Sequence, residues 1–145
     1  MDYVALKDYI EADPVFADHV ASGWDAEIAR IINERTTPVL GSVSRARFAM
    51  WCGATGLRAV IQDHADNATS QLRSIALTLL DFLQGGVSDS LDMADDSNQA
   101  MLAAWVSMGE ITQPQADELL AMATTDQPIF GQPVHHLDIA KALRG

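Results

Sequence analysis

Thr69-Ser70-Gln71-Leu72-Arg73-Ser74-Ile75-Ala76-Leu77-Thr78-Leu79-Leu80-Asp81-Phe82-Leu83-Gln84 carries the clearest periodicity in the chain, and Gly85-Gly86 follows it. Leu72, Ile75, Ala76, Leu79, Leu80 and Leu83 recur three and four residues apart. That spacing lines one side of an α-helix with apolar groups, whereas a strand would alternate every second residue. The spacing predicts a helix over 69–84 at the centre of the core, stopped by the paired glycines.

Working outward, the same signals repeat on both sides. Toward the N-terminus, Ser44 caps a helix from Arg45 to about Cys52 that Gly53 closes. Thr55 then caps another helix that runs to about Asp66. Toward the C-terminus, Asp96 with Gln99 opens a helix to Met108. Thr112 with Gln115 has the spacing of a capping box and opens a helix to about Met122. Three short helices precede all of these, over 2–11, 14–21 and 25–34. Tyr3, Leu6 and Ile10 form the apolar side of the first, Phe16 and Val20 of the second, and Ile28, Ile31 and Ile32 of the third. Ser22 with Asp25 is a weak capping pair for the third, and Pro14 is accepted in a first helical turn. A last helix is predicted over 136–143 through Ile139, Ala142 and Leu143.

Two stretches break the pattern. Arg35 to Val43 contains Thr36, Thr37, Pro38, Val39, Leu40 and Gly41, and reads as an extended loop or short edge strand. Thr124 to Val134 holds Pro128, Ile129, Phe130, Gly131 and Pro133, and reads as a second loop. Both are candidate arms that dock on a neighbour. A third irregular stretch, Val87 to Asp95, is an acidic connector. The expected fold is therefore all-α: a compact, irregular or orthogonal bundle of short helices with two proline-containing loops. Residues 1–145 are expected to form one domain, with 85–96 as the place where a subdomain boundary would fall.

Composition narrows function by exclusion. Hydrophobic residues make up 48% of the 145, enough to build a core, so a disordered chain is not expected. The formal net charge is −11, which repels nucleic acid unless basic residues are segregated. Arg45, Arg47, Arg58 and Arg73 do cluster in sequence, but without the lysines and interleaved aromatics of a nucleic-acid surface. They would serve equally to meet an acidic partner or the chain's own connector. No apolar run reaches the ~20 residues that span a bilayer. Asp2, Asp8, Glu11 and Asp13 stand where a secretory signal would carry Lys or Arg.

No constellation predicts chemistry. Cys52 is the single cysteine and lies within Phe48-Ala49-Met50-Trp51-Cys52, so it reads as a small buried hydrophobe. His135 and His136 are adjacent and point apart, unlike the i, i+4 histidines of a helical zinc site. His19 and His64 are isolated beside Asp18 and Asp63. The run Asp89, Asp92, Asp95, Asp96 fails a calcium loop, because counting from Asp89 places Leu91 third and Ala100 twelfth. Asp117-Glu118 and Asp95-Asp96 are adjacent carboxylates of ordinary surface type. An enzyme would have to build its pocket from His64, Asp63, Cys52 or the His135-His136 pair. The expectation is a protein with no enzymatic role and no cofactor or metal, whose partners are proteins rather than membrane or nucleic acid. The candidate contact residues are Trp24, Pro38, Val39, Leu40, Asp89, Asp92, Asp95, Pro128, Ile129 and Phe130, with Trp24 either a half-exposed interface anchor or a cap on the core.

The opening Met1-Asp2-Tyr3-Val4-Ala5-Leu6-Lys7-Asp8-Tyr9-Ile10-Glu11-Ala12-Asp13-Pro14 resembles a group of small acidic helical proteins of tailed bacteriophages. These begin similarly with M-D-Y-x-x-L-K and an acidic stretch that ends in D-P. The stretch Val20 to Asn33 and the closing His136-Leu137-Asp138-Ile139-Ala140-Lys141-Ala142-Leu143 are similar to that group as well. The resemblance covers both ends of the chain, does not extend through its middle, and carries no catalytic residue. It implies a virion component made in the host cytoplasm, in the tail, baseplate or fibre region or on the capsid. Such a part would act through protein–protein contacts, as a homo-oligomer within an assembly. The alternative is an intracellular phage regulator or inhibitor that binds a basic host protein.

Overall fold

A computed structural model describes residues 1–86 and 88–145. In chain order the helices are α1 (Tyr3–Ala12), α2 (Ala17–Ala21), α3 (Asp25–Glu34), α4 (Arg45–Thr55), α5 (Leu57–Asp66), α6 (Arg73–Leu83), α7 (Asp96–Ser107), α8 (Gln113–Ala123) and α9 (His136–Arg144). The strands are β1 (Thr36–Leu40), β2 (Ser42–Ser44), β3 (Ser90–Asp92) and β4 (Thr124–Pro128), and Pro14–Phe16 is a 3-10 turn. The fold is mostly helical, at 64%, but it is not all-α. Two small two-stranded sheets, β1 with β4 and β2 with β3, correct the expectation.

The chain divides into two compact units, Met1–Val39 with Asp126–Gly145, and Leu40–Thr125. The divisions fall inside β1 and β4. The 85–96 connector, apart from Val87, which lies outside the described residues, belongs to the second unit.

The first unit is built from α1, the 3-10 turn, α2, α3 and α9. Asp2 caps α1 by accepting from the Val4 and Ala5 N–H groups at 3.1 and 3.0 Å. Such a cap contributes about 1 kcal/mol. Leu6 and Ile10, four apart, are fully buried on its inner side. Asp13 ends α1 and accepts from Val15 N–H at 3.0 Å, so one aspartate closes a helix and opens the next turn. Phe16, Ile28, Ala29, Ile32, Val134 and Ile139 complete this core. Each large apolar side chain buried in this way contributes about 1.5–3 kcal/mol. Asn33 ties the returning chain to α3: its Nδ2 donates to Val134 O and its Oδ1 accepts from Val134 N–H, both at 2.8 Å.

The second unit holds the larger core, centred on Phe48, Trp51, Cys52, Ile61, Leu79, Met93, Trp105 and Leu119. Helix α6 contributes Ala76, Leu79, Leu80 and Phe82 to it. It starts at Arg73 rather than Thr69, because the preceding polar side chains are used in turns. Asn67 Oδ1 accepts from Thr69 N–H, and Ser70 Oγ accepts from Leu72 N–H, both at 3.1 Å. Such local bonds compete with helix.

Helix α4 runs through Gly53, which the sequence reading takes as its end, and stops at Gly56, where φ is +75°. Thr55 Oγ1 donates back to Trp51 O at 2.9 Å instead of capping α5. A helix ends where the backbone turns left-handed, and Gly56 makes that turn without a Cβ to oppose it. The capping box of Thr112 with Gln115 forms as expected at the start of α8. Asp95, not Asp96, caps α7.

Within the first proline-containing stretch Thr36–Leu40 takes the strand alternative as β1, and within the second, expected as a loop, Thr124–Pro128 is strand β4. Thr36, Thr37, Val39, Thr124 and Thr125 favour extended backbone. A two-stranded sheet consists only of edges, so Pro38 and Pro128 can be placed where no ladder N–H is required. The acidic connector is likewise drawn into pairing: β2 and β3 run antiparallel with Val43 opposite Leu91.

Candidate functional site

The exposed surface of the first unit is built around the turn between α2 and α3. Gly23 takes φ +67°, and its N–H and that of Trp24 donate to Val20 O and His19 O at 3.1 and 2.9 Å. This tight turn hands the chain to α3 with Trp24 as its first flanking residue. The Trp24 carbonyl accepts from Glu27 and Ile28 N–H, while the side chain makes no cap. The indole therefore leaves the helix entrance outward and is 59% exposed. Trp51 and Trp105, in the other unit, are buried. The His19 ring stands edge-on to Trp24 at 5.7 Å.

A groove of about 610 Å³ opens beside Trp24, lined by Asp25, Ala26, Glu27, Arg30 and His136. Its charges are largely paired. Arg30 donates to Glu27 through Nε at 2.9 Å and through a terminal nitrogen at 2.6 Å, and also binds Glu34. The Arg30 hydrogen bonds hold the Glu27 carboxyl below its ordinary range, so it stays ionised. Arg144, on α9, binds one oxygen of Asp25, and the other oxygen is buried without a partner. Val4, Val15 and Leu137 are further large apolar side chains of this unit exposed to water.

The other sequence candidates scatter. Pro38 and Val39 are exposed on β1, whereas Leu40 packs against the second core. Asp89 is fully exposed at its side chain and meets Arg45 at 3.2 Å. Arg45 also bonds Ser88 O, so one arginine of the basic cluster does turn to the chain's own connector. Arg73 instead donates to Ala65 O at 3.1 Å. Asp92 accepts from Ala94 N–H, and Asp95 from Ser97 and Asn98 N–H, so both carboxylates shape the backbone. Pro128 and Ile129 are half-buried. Phe130 is likewise half-buried, in T-shaped contact with Tyr9 at 5.4 Å and packed against the first core.

One polar constellation escaped the sequence reading. His64 is half-buried, with Nδ1 2.5 Å from Ser70 Oγ and Nε2 2.9 Å from Glu110 Oε1, and its ring stands edge-on to Trp105 at 5.5 Å. Separations of 6 and 46 residues along the chain gave no motif by which to find it. The order Ser–His–Glu resembles a nucleophile relay. Ser70 Oγ, however, already accepts from Leu72 N–H and so helps to start α6. The relay joins the turn before α6 to the corner between α7 and α8.

Cys52 is buried, and burial pushes its thiol up to about 12, far from a reactive thiolate. Asp138 accepts from His135 N–H at 3.0 Å and from Tyr3 OH at 3.2 Å, so the His135-His136 corner is organised around a helix start. Among the described residues, no group of three His, Cys, Asp or Glu side chains is placed to hold a metal ion, and no helix is long and apolar enough to cross a membrane.

No protein-family model, curated protein or solved structure matches the chain.

Proposed function

We propose that this protein is a non-enzymatic structural or accessory component of a tailed-phage virion, placed in the tail, baseplate or fibre region or on the capsid. It acts through protein–protein contacts within an assembly. The observation that carries the contact part is Trp24, a tryptophan 59% exposed at the mouth of a groove on a unit that also leaves Val4, Val15 and Leu137 in water. Single exposed apolar residues are ordinary, but tryptophan, with tyrosine and arginine, is among the side chains enriched where interfaces are anchored. The virion part rests on the resemblance of the two chain ends to small phage proteins.

The acidic excess of −11 favours a second reading, an intracellular phage regulator or inhibitor bound to a basic host protein. Location separates the two. Mass spectrometry of purified particles of the encoding phage is expected to find the chain at fixed copy number. Its absence from particles, with presence in infected cells, would overturn the virion reading in favour of the regulator.

A further inference from the structure

We infer that the Trp24 groove is a docking site for an arginine-bearing segment of a basic partner protein. The inference rests on the contact reading above and names the chemistry of the partner. Three features lead to it, all within the first unit.

The indole is largely in water: Trp24 is 59% exposed, with the His19 ring packed T-shaped against it. A planar guanidinium stacks on an aromatic face more favourably than any other charged side chain. The groove beside Trp24 is a largely open depression of about 610 Å³.

The charges around the groove favour a cation. Of the charged side chains that line it, Asp25 and Glu27 stand against Arg30, which leaves one negative charge in excess with His136 neutral; Arg30 is bound to Glu27 and Glu34, and Asp25 to Arg144. The groove therefore has no free guanidinium of its own to attract an anion. Each Glu27 oxygen accepts one Arg30 bond, and a carboxylate oxygen has a second lone pair to offer. An incoming guanidinium can donate to a free lone pair of Glu27 without displacing Arg30, and the exposed indole of Trp24 lines the same groove. The chain's net charge of −11 adds long-range attraction for a basic partner and opposes a second copy of this chain at the same place.

The test uses the full chain and a blocked pentapeptide in which two arginines flank a leucine, with a glutamate counterpart, titrated at physiological ionic strength. Binding is followed through the Trp24 indole N–H resonance by NMR. The arginine peptide is expected to shift that resonance saturably and the glutamate peptide to leave it unmoved. Trp24→Ala, which removes an exposed side chain, is expected to weaken binding by about tenfold or more, measured then at the Gly23 and Glu27 amides. Glu27→Gln is expected to weaken it a few-fold and to flatten its salt dependence.

Equal binding by both peptides, or unchanged affinity in Trp24→Ala, would overturn the inference. So would a concentration-dependent dimer in sedimentation that Trp24→Ala abolishes, since the occupant would then be a second copy. These results are separate from the particle test: the chain can be in particles while this groove fails, and the groove can bind arginine while the chain is missing from particles.

Discussion

Replacing Asn33 with alanine tests how the chain's C-terminal segment is held in the first unit. The Asn33 amide makes two hydrogen bonds to the backbone of Val134, one as donor and one as acceptor, each 2.8 Å and 101 residues apart in sequence. A hydrogen bond of this kind contributes about 1 kcal/mol net, and a polar group left without a partner when buried costs about 1–3 kcal/mol. Val134 is 2% exposed, but Asn33 is at the surface, so water can replace part of what alanine removes. The expected loss is about 2 kcal/mol, roughly a thirtyfold rise in the opening equilibrium of this segment. Native-state hydrogen exchange should show it at the Val134 and Ile139 amides, with Leu79 and Leu119 in the other unit unchanged. Asn33→Asp adds a sign to the test. Its carboxylate still accepts from Val134 N–H but faces the Val134 carbonyl with an oxygen, so ionisation is disfavoured in the folded state. Its stability relative to the wild type should therefore recover as pH falls through its raised folded value toward the unfolded value near 4, where the acid can donate again. An Asn33→Ala loss under about 0.5 kcal/mol with unchanged exchange at Val134 would refute the reasoning.

Three other outcomes follow from particular side chains. Cys52, with its thiol pushed up to about 12, should react with a disulfide reagent at mildly alkaline pH on the order of a thousandfold more slowly than a free thiol, and at the free rate in denaturant; fast modification of the native chain would contradict its burial. Asp13 is held below its ordinary range, first by Val15 N–H and then by Arg35. A depressed folded value means that its stabilisation is present above the unfolded value near pH 4 and is lost as pH falls through the folded one, and Asp13→Asn should remove that part of the acid dependence of the first unit, read by carboxyl NMR and thermal melts. Ser70, committed to Leu72 N–H and His64, should stay unlabelled by a fluorophosphonate probe while Ser70→Ala lowers stability by about 1 kcal/mol; stoichiometric labelling of Ser70 would overturn the non-enzymatic reading.

Local chemistry was legible wherever neighbours in sequence decide it. The i, i+3 and i, i+4 apolar spacing of α1, α3, α6 and α9, the capping box of Thr112 with Gln115, and the break at Ser22-Gly23 all stand in the structure close to where the residues place them. For Trp24, after a glycine at a helix entrance, the sequence left open whether the side chain caps the core or stands at the surface, and the structure leaves it 59% exposed. What sequence alone left undecided depends on partners far along the chain. A proline-containing extended stretch is loop or strand according to whether another stretch lies beside it, and only the tertiary structure pairs Thr36–Leu40 with Thr124–Pro128. The same holds for the acidic connector against Val43, for Phe130 turned inward onto Tyr9, and for His64 between Ser70 and Glu110. Helix periodicity and caps are short-range properties of a few adjacent residues. Strand pairing, burial of a loop aromatic and the meeting of polar side chains are long-range, and their free energy is set by which distant groups the two packed cores bring together.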